Sequence, residues 1–444
     1  MRTAVRLSLA AALLHLTGSA AFAQAPLPLA LEDAIRRGIE HAPRLAEARA
    51  REASAEAVVA SREATGKPTV QALSSYLRTN HVLAFGVARP DGTTAVLFPD
   101  VPSNYRARAE MIVPVYTAGR VDYAVDTARA DVRAIEADGR VLEQEIRLEV
   151  TRAYLTLVTA REAERVLVIA VERADAYVRD VRARVDVGIL PPNDSLSAQA
   201  QRAREAVRLV QARNAAATAS MRLARLLGED LARPIEPVTP VTQPLADDLA
   251  SQPAETLIAR AVERRAERTG LTEREAALRS AGDAAMANLR PLVTALAAVE
   301  PARPNQRFVP RMDRWNTSWD LGVTVSWPLF DGGKAKADRA ASLAQAQALT
   351  HRLEDFDAGV AFDVRQRLLD LESGRAALAA NAEAVTAAAE ARRVVEERFR
   401  AGVATGTEVL DAQLALIEAE LEQTRLTAAL RLSEADLLRA VGGR

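Results

Sequence analysis

Residues 315–330 read WNTSWDLGVTVSWPLF. Odd-numbered positions carry Trp315, Thr317, Trp319, Leu321, Val323, Val325, Trp327 and Leu329, and even-numbered ones carry Asn316, Ser318, Asp320, Gly322, Thr324 and Ser326. A period of two is the mark of a β-strand with two unlike faces. Extended from Trp315 to Trp327 the strand runs about 40 Å, and tilted by about 45° it covers about 30 Å of depth, the thickness of a bilayer's hydrocarbon core. The chain has 3 tryptophans, all in this stretch. Their common parity predicts that Trp315, Trp319 and Trp327 face lipid. Trp315 and Trp319 then mark one membrane interface and Trp327 with Phe330 the other, where a ring buries its body and keeps its edge in headgroup water.

A second segment, NYRARAEMIVPVY at 104–116, alternates in the same way. Tyr105, Ala107, Ala109, Met111 and Val113 share one face, and Arg106, Arg108 and Glu110 share the other. A half-buried sheet in a soluble domain also alternates. A charged face opposite an apolar one is what a transmembrane barrel demands, with lipid outside and water inside. Four such strands per chain cannot close a barrel, and an open edge in lipid leaves N–H and C=O groups unpaired at several kcal/mol each. Closure therefore needs further copies: two give eight strands, three give twelve and a lumen wide enough for water.

Working outward, the segment after this strand exposes an internal repeat. WPLFDGGK at 327–334 echoes VPVYTAGR at 113–120, and RFRAGVATGTEVLDAQ at 398–413 echoes RVDVGILPPNDSLSAQ at 184–199, both displaced by 214 positions. Residues 24–233 and 254–444 are thus two copies of one plan: helix, two strands, very long helix, turn, helix. The proline-rich 234–253 has no apolar period and reads as a linker. The halves differ in length within 86–104 and 300–314, where proline, glycine and charge break the alternation, so these are expected to be external loops. Neither Gly119 to about Val187 nor Gly333 to about Ala401 contains a proline, and each predicts a helix roughly 100 Å long. Ile146, Val150, Ala153, Leu157 and Ala160, and Leu410, Leu414, Ile417 and Leu421, step by three and four, the seam of a coiled coil.

The 444 residues are 49% hydrophobic and 26% charged, a balance that folds, with only 4% aromatic residues, which suits close helix packing. Residues 1–23 place Arg2 and Arg6 before an apolar run and end on Ala21-Phe22-Ala23, the pattern of a cleaved secretory signal. With 58 basic and 59 acidic residues the chain lacks the concentrated positive charge that nucleic acid requires. It has no cysteine, which excludes disulfides, thiolate metal sites and a lipidated N-terminal cysteine.

The doubled pattern resembles the TolC-like family of outer-membrane export channels. RFRAGVATGTEVLDAQLALIEAELEQT at 398–424, VSWPLFDGGKAKAD at 325–338 and LALEDAIRRGIEHAPRL at 29–45 carry the resemblance, which covers Leu29 to Gly443. It implies a mainly α fold with a transmembrane β-barrel: a homotrimer whose twelve strands form one outer-membrane barrel continuous with a periplasmic tunnel of long helices. It implies a passive conduit of a tripartite efflux or type I secretion system, its partners a periplasmic membrane-fusion adaptor, an inner-membrane pump and lipid. Two turns would meet the adaptor at the periplasmic tip, through Gly188, Pro191 and Asp194 in the first half and Gly402, Thr405 and Gly406 in the second. The family's acidic pair at the tunnel entrance falls on Glu408 and Asp411. Glutamate at the first of these positions and the rigid Pro191-Pro192 depart from the pattern.

No residue constellation supports catalysis, and no cofactor is expected. Gly402-Val-Ala-Thr-Gly-Thr lacks the lysine of a phosphate loop. Asp194, Glu408 and Asp411 also suit plain helix N-termini, where the dipole favours acids. The alternatives are a periplasmic coiled-coil scaffold without channel activity and a metal enzyme, for which His41, His81 and His351 supply no ligand cluster.

Overall fold

The computed structural model describes residues 25–246, 249 and 251–443; the expected signal at 1–23 lies outside the described residues. In chain order the elements are β1 (Leu27–Leu29), α1 (Leu31–His41), α2 (Pro43–Ala64), β2 (Thr69–Arg78), β3 (Phe85–Ala88), β4 (Thr94–Phe98), β5 (Ser103–Tyr116), α3 (Arg120–Asp186) and α4 (Pro192–Leu227). There follow β6 (Ile235–Pro237), α5 (Ala254–Arg264), α6 (Ala266–Ala287), β7 (Leu292–Arg303), β8 (Asn316–Ser326), α7 (Lys334–Arg400) and α8 (Gly406–Ala440). The two long helices have 67 residues each, as the proline-free runs predict. The first helix of each half is broken in two, at Ala42 ahead of Pro43 and at Arg265.

The chain divides into two compact units. One comprises residues 44–142 and 265–361 and holds the four-stranded antiparallel sheet, in the order β2-β5-β7-β8. Glycines at positive φ, Gly119 and Gly333, turn each half from strand into long helix. Arg120, the first residue of α3, donates from Nε to the carbonyl of Ala287 at 3.0 Å and from Nη2 to those of Asn288 and Arg290 at 3.1 and 2.7 Å. It thereby ties the start of α3 to the last residue of α6 and to the segment that follows it. Residues 86–104 are not simply loop. They contain the β3–β4 hairpin and the first residues of β5, while β7 runs on to Arg303, so the connections proper are 79–102 and 304–315.

The other unit comprises residues up to Pro43, 143–264 and 362–444. Here β1 pairs in parallel with β6, so the proline-rich segment read as a plain linker begins as a strand, with Ile235 buried. Tyr154, 1% exposed, donates its hydroxyl to the carbonyl of Leu29 at 2.8 Å and accepts from the N–H of Thr239 at 3.0 Å, joining β1 and the segment just after β6 to α3. The buried Arg431–Glu434 pair on α8 holds the chain after β6: Arg431 Nε donates to the carbonyl of Val241 and Glu434 Oε2 accepts from the N–H of Leu245. Ile146, Val150, Ala153 and Leu157 of the expected seam are buried, as are Leu167, Ala170, Leu209 and Ile417 farther along the bundle. No helix among the described residues is long and apolar enough to cross a membrane.

Candidate functional site: a two-faced sheet and a helical tip

The register of the sheet joins side chains of like character across all four strands. Val70, Ala72 and Tyr76 of β2 lie opposite Met111, Ala109 and Tyr105 of β5. Met111 and Ala109 lie opposite Ala297 and Val299 of β7, which lie opposite Leu321 and Trp319 of β8. This apolar face is bare: Val70 is 74% exposed, Leu321 74% and Val323 69%. Twenty to thirty calories per Å² of apolar surface left in water makes such a face unfavourable unless something covers it. Trp315, Trp319, Trp327 and Phe330 are all exposed. Trp315 belongs to an aromatic row with Tyr105 and Tyr76, ring centroids 6.1 and 5.0 Å apart in succession. Trp327 donates its indole N–H to the carbonyl of Leu289 at 3.1 Å.

The opposite face carries Arg106, Arg108 and Glu110 of β5, Glu300 of β7 and Asp320 of β8, joined by ion pairs. The edge strand β2 is less regular, placing Leu73 opposite Arg108 and Leu77 opposite Asn104 on this polar side. Among the described residues, each sheet edge, β2 and β8, has a neighbour on one side only.

The two predicted tips share one backbone solution. Gly188 and Gly402, with φ of 75° and 78°, end the long helices α3 and α7. In the first turn the N–H groups of Gly188 and Ile189 bond to the carbonyls of Val185 and Arg184, and in the second those of Gly402 and Val403 bond to Phe399 and Arg398. This is the Schellman arrangement, which needs a left-handed residue and so a glycine. The residue after each glycine, Ile189 and Val403, is 67% and 64% exposed. Pro191 caps α4 with Pro192 in its first turn, and Asp194 follows, partly buried, its N–H donating to the carbonyl of Pro191 at 3.0 Å.

Thr405 and Glu408 form a capping box at the start of α8, with Glu408 N–H donating to Thr405 Oγ1 at 3.3 Å and Thr405 N–H to Glu408 Oε1 at 3.1 Å. Those donors, first the Thr405 N–H and then its hydroxyl, hold the Glu408 carboxyl below the usual carboxylate range. Asp411 is exposed one turn on. Gly406 faces inward instead: a Cβ there would stand 2.9 Å from the hydroxyl of Tyr177, which donates to the Gly406 carbonyl at 3.1 Å. Sequence reading missed this clasp. Tyr177 and Phe399 pack 5.7 Å apart, Arg184 stacks 4.9 Å over Phe399 and donates to its carbonyl, and together they tie the two turns. Two aromatics in a chain so poor in them, one about three turns and the other about one turn before a tip glycine, were the available signal.

A helical chain with a two-faced antiparallel sheet and paired helical tips is the architecture of an outer-membrane channel protomer. The chain belongs to the outer membrane efflux protein family, whose sequence pattern matches residues 34–229 and 262–443. Among curated relatives it is 23% identical over 396 residues to the pyoverdine export outer membrane protein OpmQ of Pseudomonas aeruginosa, covering 89% of this chain and 81% of that one. Among solved structures it resembles the outer membrane protein VceC of Vibrio cholerae, with a TM-score of 0.75 at 20% identity over 93% of this chain and 96% of VceC. It also resembles the MtrE outer membrane channel of Neisseria gonorrhoeae in its open state, with a TM-score of 0.74 at 19% identity over 93% and 89% of the two chains. The structural likenesses establish the fold, and family membership makes the chain an outer-membrane efflux channel component, its helical part in the periplasm. That sets aside the scaffold reading.

Proposed function

We propose that three copies of the chain close a twelve-stranded barrel in the outer membrane, and that the assembly is the passive outer conduit of a tripartite efflux or type I secretion system. The observation that carries this reading is the sheet, apolar on one face, ion-paired on the other and unpaired at both edges. Lipid covers the first face, water fills the space behind the second, and neighbouring copies pair with the edges. Trp315, Trp319, Trp327 and Phe330 anchor the lipid face at its two interfaces, and 79–102 and 304–315 form the external loops.

The tip turns dock a membrane-fusion adaptor, which links the conduit to an inner-membrane pump. Rigid Schellman turns that hold Val187, Ile189 and Val403 in the open suit a protein partner. Glu408 and Asp411 repeat by symmetry into a ring of carboxylates at the tunnel entrance. Substrate choice belongs to the pump and adaptor; the relative OpmQ is by name a pyoverdine export protein. Purified full-length chain added to a planar bilayer should give discrete conductance steps carried by a cross-linkable trimer. A protein that stays monomeric and leaves the bilayer silent overturns the reading.

A further inference from the structure

We propose that Arg108 sets the ion selectivity of the outer pore by neutralising its wall, so that the strand-lined part of the conduit passes anionic and cationic solutes alike. The inference rests on the reading above, in which the polar face of the sheet lines the lumen. Arg108 bonds three carboxylates from three strands. Its Nε lies 2.9 Å from Glu110 Oε2, its Nη1 3.1 Å from Glu300 Oε2, and its Nη1 and Nη2 3.1 and 3.2 Å from the two oxygens of Asp320. A planar guanidinium with five donors can serve three acids at once; a lysine ammonium is a single point charge.

Reaching Asp320 on β8 from β5 requires crossing β7. Ala298 is the residue of β7 that lies opposite both Glu110 and Asp320, and its methyl group leaves room for the guanidinium above it. Arg106 adds an ion pair to Glu300 at 2.6 Å and Arg307 one to Asp320 at 3.6 Å. Three guanidinium groups therefore balance three carboxylates, and the formal charge of the cluster is zero.

Without Arg108 the same wall holds three acids against two arginines. Repeated around a closed pore with low-dielectric walls, that excess focuses a negative potential and draws cations, as carboxylate rings do in cation channels. A residue that only braced the strand register would leave the selectivity of assembled channels unchanged, so ion selectivity separates the two roles.

The test compares reversal potentials of full-length wild type, R108Q, E110Q and R108Q/E110Q channels under a potassium chloride gradient. R108Q should raise the cation-to-anion permeability ratio by about twofold or more at low salt, the scale set by potentials of several kT in a charged cleft. The rise should shrink at 1 M salt, where the screening length is about 3 Å. E110Q, which keeps Arg108, should shift the ratio toward anions, and the double variant should return it to the wild-type value. Should R108Q fail to assemble, the anion shift of E110Q carries the test alone. Conducting variants that all keep the wild-type ratio overturn this inference and leave the conduit reading standing. A wild-type protein that does not conduct overturns the conduit reading, and this inference with it.

Discussion

Tyr177 and Glu408 hold the tip by opposite protonation states, so the tip should loosen at both ends of the pH scale. Burial, then the nearby Asp194 and Asp180, push the Tyr177 phenol up to about 12 from its ordinary 10.0. A raised value means that the stabilisation is full below pH 10 and is lost as pH climbs toward 12. Tyr177→Phe should abolish this alkaline step and, by removing the hydroxyl's bond to the Gly406 carbonyl, cost about 1 kcal/mol at neutral pH; amide exchange over 402–410 at neutral and alkaline pH measures both. Glu408 lies below its ordinary 4.5, so its contribution is full above that value and lost as acid protonates it. Because glutamine also serves in a capping box, E408Q/D411N removes the charge and keeps the cap. If the pair forms a cation-attracting ring, the double variant should lower cation selectivity and weaken block by divalent ions while trimers persist. Unchanged selectivity and block would reduce both residues to helix-start acids.

At the scale of the element, β8 turns one sequence rule into a membrane prediction. Val323 lies opposite Ala295 on the apolar face and Thr324 opposite Thr294 on the polar one, adjacent in sequence and opposite in environment. Val323→Arg should cost about 2–4 kcal/mol near the bilayer midplane, while Thr324→Arg points at water and should be tolerated. The fraction of heat-modifiable trimer in detergent measures the difference; equal losses would mean that both faces are buried in protein. The parity of this strand was legible because side chains alternate along any strand whatever its neighbours. The β3–β4 hairpin was not: its four- and five-residue strands lie among the turn-forming residues Asn80, Pro90, Gly92 and Pro99, and its pairing is set by contacts across the hairpin. Nor was the three-residue β6, whose partner β1 begins the chain's described part.

For the whole molecule, the unpaired edges make a directional prediction. An even number of antiparallel strands leaves β2 and β8 running in opposite senses, so β8 of one copy can continue antiparallel onto β2 of the next without interruption. The chain has no cysteine, so a pair introduced at facing positions of β2 and β8 reports on a clean background. Oxidation should yield covalent trimers from the double variant and none from either single variant. Dimers as the limiting product would indicate an eight-stranded closure instead.

Strand parity, the doubled plan, the two uninterrupted helices and the glycines of the tips were written in the sequence, because periodicity, repetition and backbone permissiveness are properties of the chain read along its length. The same reading found Arg106, Arg108 and Glu110 on one face of a strand. That Arg108 meets Glu300 and Asp320, far away in sequence, was decided by the register of β5 on β7 and of β7 on β8. That Tyr177 meets Gly406, and Tyr154 meets Leu29 and Thr239, was decided by how helices of the bundle lie against distant segments. A hydrogen bond or ion pair requires its partners within about 3 Å, and only the packed tertiary structure brings residues so far apart in the chain to that distance.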